Sequence, residues 1–230
     1  MWKSAWNVIA NCNELIQRAE AADTTIFYRG DYERKLILSE AIGLRAYMHF
    51  DLLRIYAPAP AANPGSKTYI PYVNHYPAYV NENLSVSDCL EHIIADLKTA
   101  QAELYNLEGE KTTTLDPNTR FVMSFSGKNL FFSLRGYRLN YWATTALLAR
   151  VYLYAGMKEE AYKQARILIE EESKYGFFAA TTSSYDGPDD IKFGNIKMYE
   201  NIIFGLYSPT ELVDWDAEIN HESDGADESE

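Results

Sequence analysis

The sequence predicts an all-α fold in which helical hairpins stack into an α–α superhelix and are joined by long irregular loops. Two observations predict it: apolar residues recur every three or four positions over several long segments, and prolines and glycines separate those segments. The chain has 230 residues, of which 47% are hydrophobic. A chain of this size buries enough apolar surface to fold without disulfides or a structural metal.

Two helices are predicted in the N-terminal part. The first, over 2–22, ends at the polar run 23–25 and has one apolar face formed by Trp2, Ala5, Ile9, Cys12, Ile16 and Ala19. The second, over 31–56, ends before Pro58 and Pro60, because proline cannot continue a helix. Its apolar stripe consists of Ala41, Leu44, Met48, Leu52 and Ile55.

The connection over 58–83 contains five prolines and no helical stripe, so it is predicted to be a long irregular loop on the surface. Five ring-bearing residues fall within eleven of its positions. Such rings either stack on pyranose faces or pin the loop to the helices, and both interpretations stay open. The candidate ligand-binding residues, with Asn74 as an amide hydrogen-bonding group, are Tyr69, Tyr72, Asn74, His75, Tyr76 and Tyr79.

A third helix is predicted over 86–107, where Ser85 and Asp88 have the spacing of a capping box. Its stripe is the most regular in the chain: Val86, Leu90, Ile93, Leu97, Ala100, Leu104 and Leu107. A polar segment follows, and then the aromatic run 121–125, which fits either a short strand or a loop.

A helical hairpin is predicted over 139–174, with Gly156 as the left-handed residue that ends its first helix. The hairpin carries the spacing of a tetratricopeptide repeat, in which small residues lie where two helices touch. The matching positions are Leu148, Ala149, Tyr152, Gly156 and Ala161, whereas Ala165 and Leu168 depart from the repeat. Beyond the hairpin, only 198–207 forms a short apolar element.

Charge excludes one class of partner. The net charge is −12, and a nucleic-acid-binding protein needs clustered Lys and Arg to meet phosphates, so we expect no nucleic-acid partner. Eight carboxylates and no basic residue lie in 214–230, whose removal leaves a net charge of −4. We therefore predict a helical repeat domain over 1–213 and a solvated, disordered acidic tail over 214–230.

No catalytic, metal or cofactor site is predicted. Cys12 and Cys89 lie on apolar stripes and are expected to pack as small hydrophobic residues. The four histidines lack partners at ligand spacing, and Asp186, Asp189 and Asp190 lack the alternation and closing Glu of an EF-hand. Arg135, Arg138 and Arg150 fit either a carboxylate-gripping site or ties between helices. No apolar run approaches the roughly 20 residues of a membrane span.

Several segments resemble the SusD/RagB family. Residues 39–56 (SEAIGLRAYMHFDLLRIY) are similar to the family helix GEA-x-x-LRA-x-x-x-F-x-L-L-x-x-Y, and 138–154 (RLNYWATTALLARVYLY) to its R-x-N-x-x-A-x-x-A-L-L-A-R-V-Y-L-Y helix. Residues 86–97 match its V-x-D-x-x-x-x-I-x-x-D-L form, and 6–15 and 200–204 also fit. The resemblance thus covers nearly all of 2–207.

The resemblance implies a non-enzymatic lipoprotein on the surface of the outer membrane. Such a protein binds oligosaccharides or peptides and works with a SusC-like, TonB-dependent transporter. Family members carry a signal peptide and a lipid-bearing cysteine that this sequence lacks, and they are longer, so we expect a fragment whose ligand pocket is incomplete. The alternative function is a tetratricopeptide-type protein-interaction module that binds a peptide or helix and no sugar.

Overall fold

The protein's structure, a computed structural model, describes residues 2–109, 134–175 and 202–206. Its α-helices in this part of the chain are α1 (Trp2–Ala21), α2 (Asp31–Tyr56), α3 (Val86–Leu104), α4 (Tyr141–Tyr154) and α5 (Lys158–Tyr175). Two short strands, β1 (Thr68–Pro71) and β2 (Asn83–Ser85), form the remaining regular structure, with single turns at Thr24–Ile26, Pro60–Ala62, Tyr105–Gly109 and Arg135–Tyr137. The predicted all-α class with helical hairpins is confirmed.

Each helix packs against the next one in sequence, and neighbouring helices run antiparallel. Trp2 at the start of α1 contacts Tyr56 at the end of α2. Tyr32 at the start of α2 donates a hydrogen bond to the carbonyl of Leu107, just beyond α3. α2 packs on both α1 and α3 and also contacts β1 and α4.

Local chemistry sets the helix ends. The Ser85 hydroxyl accepts a hydrogen bond from the Asp88 amide at 3.2 Å, which confirms the predicted N-cap of α3. Gly156 has φ +79°, and the Met157 amide bonds back to the carbonyl of Tyr152 at 2.9 Å. This is a Schellman motif, so the predicted glycine at the end of α4 is confirmed.

Two predicted features need correction. The connection over 58–83 is not wholly irregular, because β1 and β2 pair antiparallel across it, with Ile70 opposite Leu84 and Pro71 opposite Asn83. The third helix ends as a regular α-helix at Leu104, and the wider turn Tyr105–Gly109 follows. Strand pairing depends on two segments that are distant in sequence, and short strands leave little periodicity to detect.

The core lies between α1, α2, α3, α4 and β1. Its fully buried side chains include Ile9, Phe50, Leu53, Ile70, Ile93 and Leu148. A second cluster at the other end of the helices surrounds the fully buried Trp142 and contains Leu36, Leu104, Leu107, Tyr141 and Leu168. The predicted stripe of α3 is buried over its whole length, from Val86 to Leu107. The stripe predicted for α2 is only partly correct, because Ile55 is 44% exposed and the helix instead buries Leu36, Phe50 and Leu53.

Some predictions fall outside the described residues. These are the aromatic run 121–125, the three aspartates Asp186, Asp189 and Asp190, and the acidic tail 214–230. Of the apolar element at 198–207, residues 202–206 are described and form neither helix nor strand.

Candidate functional site

The candidate site is the loop over 72–82 that connects β1 to β2 beside the first three helices. The structure divides the six predicted residues into two groups. Tyr69 and Tyr72 are half-buried and pack against the main core. The other four are exposed: Asn74, His75, Tyr76 at 40% and Tyr79 at 86% of their surface.

Tyr72 is held in place on several sides. The His49 ring stacks on it with ring centroids 4.1 Å apart, and the His92 ring does so at 5.1 Å. The Tyr72 hydroxyl donates a hydrogen bond to the Asp96 carboxylate on α3. Burial and the neighbouring Asp96 charge raise the pKa of this phenol, so the hydroxyl stays protonated and remains a donor. Tyr72 thereby anchors the loop.

A buried ion pair lies directly beneath the loop. Arg45 on α2 is 6% exposed and grips Asp96 in bidentate fashion, with Nε–Oδ2 at 2.7 Å and Nη2–Oδ1 at 2.9 Å. Burial acts to lower the pKa of the Arg45 guanidinium, but the hydrogen bonds to Asp96 and Tyr72 and the charges of these groups together outweigh it and raise that pKa. The planar fork of arginine matches a carboxylate in this geometry, so the pair links α2 rigidly to α3.

The same cluster holds the backbone of the loop. The Asn13 side-chain amide on α1 donates to the carbonyls of Val73 at 3.0 Å and His75 at 3.3 Å. Arg45 Nη1 donates to Asn13 Oδ1 at 2.9 Å and to the Asn74 carbonyl at 3.3 Å. Three successive loop carbonyls therefore meet buried donors from two helices.

His49 completes the attachment from α2. Its Nε2 accepts a hydrogen bond from the Val73 amide at 3.0 Å, so the ring proton lies on Nδ1, which donates to the Arg45 carbonyl at 2.8 Å. Burial lowers the pKa of His49 to about 4, and the imidazole is neutral at physiological pH. His49 is not among the site residues predicted from the sequence. Its spacing of four from Arg45, on the same helix face, was the available indication.

Comparison with known proteins identifies the fold of the helical part. No protein-family model and no curated protein matches the sequence. Among solved structures, a SusD superfamily protein from Bacteroides thetaiotaomicron VPI-5482 superposes with a TM-score of 0.57 at 24% identity, covering 78% of this chain and 33% of that one. The described chain has a SusD-like fold.

A SusD-like carbohydrate binding protein from Bacteroides vulgatus ATCC 8482 gives a TM-score of 0.54 at 20% identity, covering 76% of this chain and 33% of that protein. The chain thus spans about a third of the length of these solved structures. The SusD-like assignment concerns the helical part that the three share.

For Arg135, Arg138 and Arg150, the structure favours the second interpretation, in which they connect elements of the fold. Arg135 is 2% exposed and lies between Glu40 on α2 and Glu108 in the turn after α3. Arg138 also binds Glu40, with Nη2–Oε2 at 2.6 Å. Although burial opposes it, the charges of Glu40 and Glu108 raise the pKa of Arg135. Arg150 instead lies over the Phe50 ring, 5.8 Å from its centroid.

An apolar groove of about 580 Å³ lies on the other side of α1 and α2. The helices contribute aliphatic side chains to its walls, and residues 137–139, 204 and 206 close one side. Its apolar lining includes Val8, Leu15, Ile37, Leu44, Leu139, Phe204 and Leu206. Leu206 is 83% exposed, so the groove is open to solvent.

Neither cysteine forms a reactive site. Cys12 and Cys89 are buried, as predicted, and burial raises the pKa of their thiols to about 11 and about 12. In the described ranges, no three His, Cys, Asp or Glu side chains converge as metal ligands. None of the helices in those ranges has the length and hydrophobicity needed to cross a bilayer.

Proposed function

We propose that this SusD-like protein binds an oligosaccharide along the exposed edge of the loop, formed by Asn74, His75, Tyr76 and Tyr79. The observation that carries the proposal is the division of the loop. Its inner residues are bonded to three helices, while its outer side chains face solvent. A loop whose inner residues are already held in place needs less ordering when a sugar binds.

The chemistry of these side chains suits a sugar. The faces of the Tyr76 and Tyr79 rings are apolar platforms, and pyranose rings present apolar C–H faces to such surfaces. The Asn74 amide and the His75 imidazole are exposed beside them and can exchange hydrogen bonds with hydroxyl groups. Tyr69 and Tyr72 instead pack against the core. A solved structural neighbour is itself described as a SusD-like carbohydrate binding protein, which supports the same ligand class.

The wider role follows from the resemblance. The protein acts at the cell surface of the outer membrane, held there by a lipid anchor, and delivers glycan to a SusC-like, TonB-dependent transporter. Its helical repeats supply the contact with that transporter. No catalytic step and no cofactor belong to this role.

The test is isothermal titration calorimetry with maltohexaose, cellohexaose and xylohexaose. The wild type is compared with a Tyr76→Ala, Tyr79→Ala double variant and with Tyr28→Ala, which removes a tyrosine that is 76% exposed and lies outside the loop. We expect binding that the double variant loses and Tyr28→Ala retains. Equal affinity in all three proteins would contradict the proposed platform.

The apolar groove favours the second candidate function, a tetratricopeptide-type interaction module. It lies between two helices, and an amphipathic helix could bury its apolar face there. The test is fluorescence anisotropy with a labelled amphipathic leucine-rich peptide and a Leu15→Ser variant, because Leu15 lines the groove and is 46% exposed. Peptide binding that Leu15→Ser weakens, with no response to any of the sugars, would favour this function over the first.

A further inference from the structure

We propose that Asn13 and Arg45 are positioning residues for ligand binding. Together they form a carbonyl clamp, defined here as the Asn13 and Arg45 side chains with the loop carbonyls of Val73, Asn74 and His75. The clamp turns these carbonyls inward and so presents the side chains of 74–79 to solvent. This inference rests on the proposed function and names the residues that prepare the site.

The clamp is a chain of four hydrogen bonds. Asn13 Nδ2 reaches the Val73 carbonyl at 3.0 Å and the His75 carbonyl at 3.3 Å. Arg45 Nη1 reaches the Asn74 carbonyl at 3.3 Å and holds Asn13 Oδ1 at 2.9 Å. Each carbonyl belongs to a residue at or beside the exposed edge. The backbone where that edge begins, at 73–75, is therefore held from inside the protein.

Asn13 occupies a position where an apolar residue would be the simpler choice. It is 2% exposed and lies on the buried face of α1 beside Cys12 and Ile16. Asparagine is a poor helix former, and a buried amide is unfavourable unless it is hydrogen-bonded. Its hydrogen-bond partners are the loop carbonyls and Arg45, all of which lie outside α1. The Asn13 side chain therefore stabilises the loop rather than its own helix.

Arg45 is oriented for the same task. Its Nε and Nη2 bind Asp96, which leaves Nη1 directed at the loop and Asn13. The Asp96 carboxylate in turn accepts a hydrogen bond from the Tyr72 hydroxyl. The bidentate pair thus sets the angle from which Nη1 meets the Asn74 carbonyl. A loop held in this way loses little conformational freedom when a ligand binds, and affinity rises accordingly.

The variant that isolates the clamp is Asn13→Asp. Aspartate has nearly the same shape, still accepts from Arg45, and cannot donate to the carbonyls of Val73 and His75. Asn7→Asp is the matched control, because Asn7 is exposed on the same helix and the charge change is identical. Urea unfolding of each protein separates global stability from the local effect.

The first readout is amide hydrogen exchange by NMR, which requires no ligand. In the wild type, the Val73 amide should be protected, because it donates to buried His49 Nε2. Asn13→Asp should speed its exchange about tenfold, as expected for the loss of one net hydrogen bond in a local opening, and Asn7→Asp should not. The Leu97 amide in α3 serves as the internal reference.

The second readout is the calorimetric affinity for whichever of maltohexaose, cellohexaose and xylohexaose binds the wild type. Faster Val73 exchange together with weaker sugar binding in Asn13→Asp supports the proposal. Faster exchange with unchanged affinity overturns the positioning role.

The remaining outcomes separate the clamp from the function on which it rests. A wild-type Val73 amide that exchanges like an exposed amide overturns the clamp itself, and this result is available even if Asn13→Asp does not fold. If the Val73 amide is protected but none of the sugars binds, the proposed function is overturned, and with it the role of the clamp in ligand binding. The hydrogen bonds between the clamp and the loop are then still supported.

Discussion

Buried polar side chains connect the helices to the irregular parts of this protein. Arg45 and Asp96 lie under the loop, and Arg135 with Glu108 lies under the turn that precedes α4. In both places, a buried guanidinium binds carboxylates, and one member of the cluster also bonds to backbone: Arg45 donates to the Asn74 carbonyl, and Glu108 accepts from the Tyr141 amide. Removing one partner of such a pair leaves an uncompensated buried charge, which destabilises more than the pair itself stabilises.

The pH dependence of stability should report the burial of His49. Its pKa falls from 6.5 to about 4 on folding, so the unfolded chain takes up a proton between these values that the folded protein does not. The contribution of neutral His49 is complete above pH 6.5 and is lost as pH falls towards 4. We expect urea-unfolding free energy to drop by about 2 kcal/mol between pH 7 and pH 5 from this group.

The control for this prediction is the difference between two variants. His75→Gln removes an exposed imidazole and should keep the pH dependence, whereas His49→Gln should reduce it. Identical pH profiles for the wild type and His49→Gln would show that His49 is not the group that titrates.

Arg135→Met should destabilise the protein by about 3–5 kcal/mol, because Glu40 and Glu108 lose their shared cation while Glu108 stays buried. Arg138→Met is the matched control. Arg138 also binds Glu40 but its side chain is 24% exposed, so its loss should cost about 1 kcal/mol. Urea unfolding measures both. Equal losses would mean that burial does not set the strength of these ion pairs.

At the scale of elements, end signals close to the helices determine where they start and stop. Asn140 caps α4 by accepting from the Ala143 amide at 2.9 Å and also donates to the Arg135 carbonyl, so one side chain caps a helix and orders the turn before it. Gly156 allows the tight connection to α5 because its positive φ is strained for other residues. The α4–α5 hairpin is therefore encoded locally.

Ser85→Ala should lower the unfolding free energy by about 1 kcal/mol, because the Asp88 amide at the start of α3 loses its acceptor. Ser66→Ala provides the control, because Ser66 is exposed and lies outside α3. We expect a change of less than about 0.5 kcal/mol there. Thermal unfolding followed by circular dichroism distinguishes the two, and matching curves would argue against the cap.

At the scale of the whole molecule, α2 organises the described fold. It packs on α1 and α3, supplies Arg45 and His49 to the loop, and supplies Glu40 to the second ion-pair cluster. Gly43 lies where α2 closely approaches the side chain of Leu139, and a Cβ at this position would lie only 2.4 Å from that side chain. The two proposed binding surfaces, the loop edge and the apolar groove, both depend on this helix.

Removing residues 214–230 should leave the helical core intact, since their composition gives them no apolar surface large enough to bury. We expect the helical circular dichroism signal per molecule to be retained and the unfolding free energy to change by less than about 0.5 kcal/mol. A full-length variant in which these eight Asp and Glu residues are replaced by Asn and Gln distinguishes the effect of the lost charge from the effect of the shorter chain. A clear loss of stability on truncation would show that the tail packs against the domain.

The sequence by itself determined the helices, because periodicity, proline stops and caps are local properties. The ranges predicted for α1 and α2 differ from the structure by no more than one residue, and Gly156 was placed from its type and position alone. The candidate loop was also located by its composition, and its ligand contacts remain a prediction.

The tertiary structure decided which side of that loop is inside. Tyr72 and Tyr76 are the same residue type four positions apart, yet one is bonded to Asp96 and the other is 40% exposed. Asn13, Arg45 and Asp96 lie on three helices and meet only after packing. Contacts of this kind depend on distances between segments far apart in sequence, and no local pattern of residues carries that information.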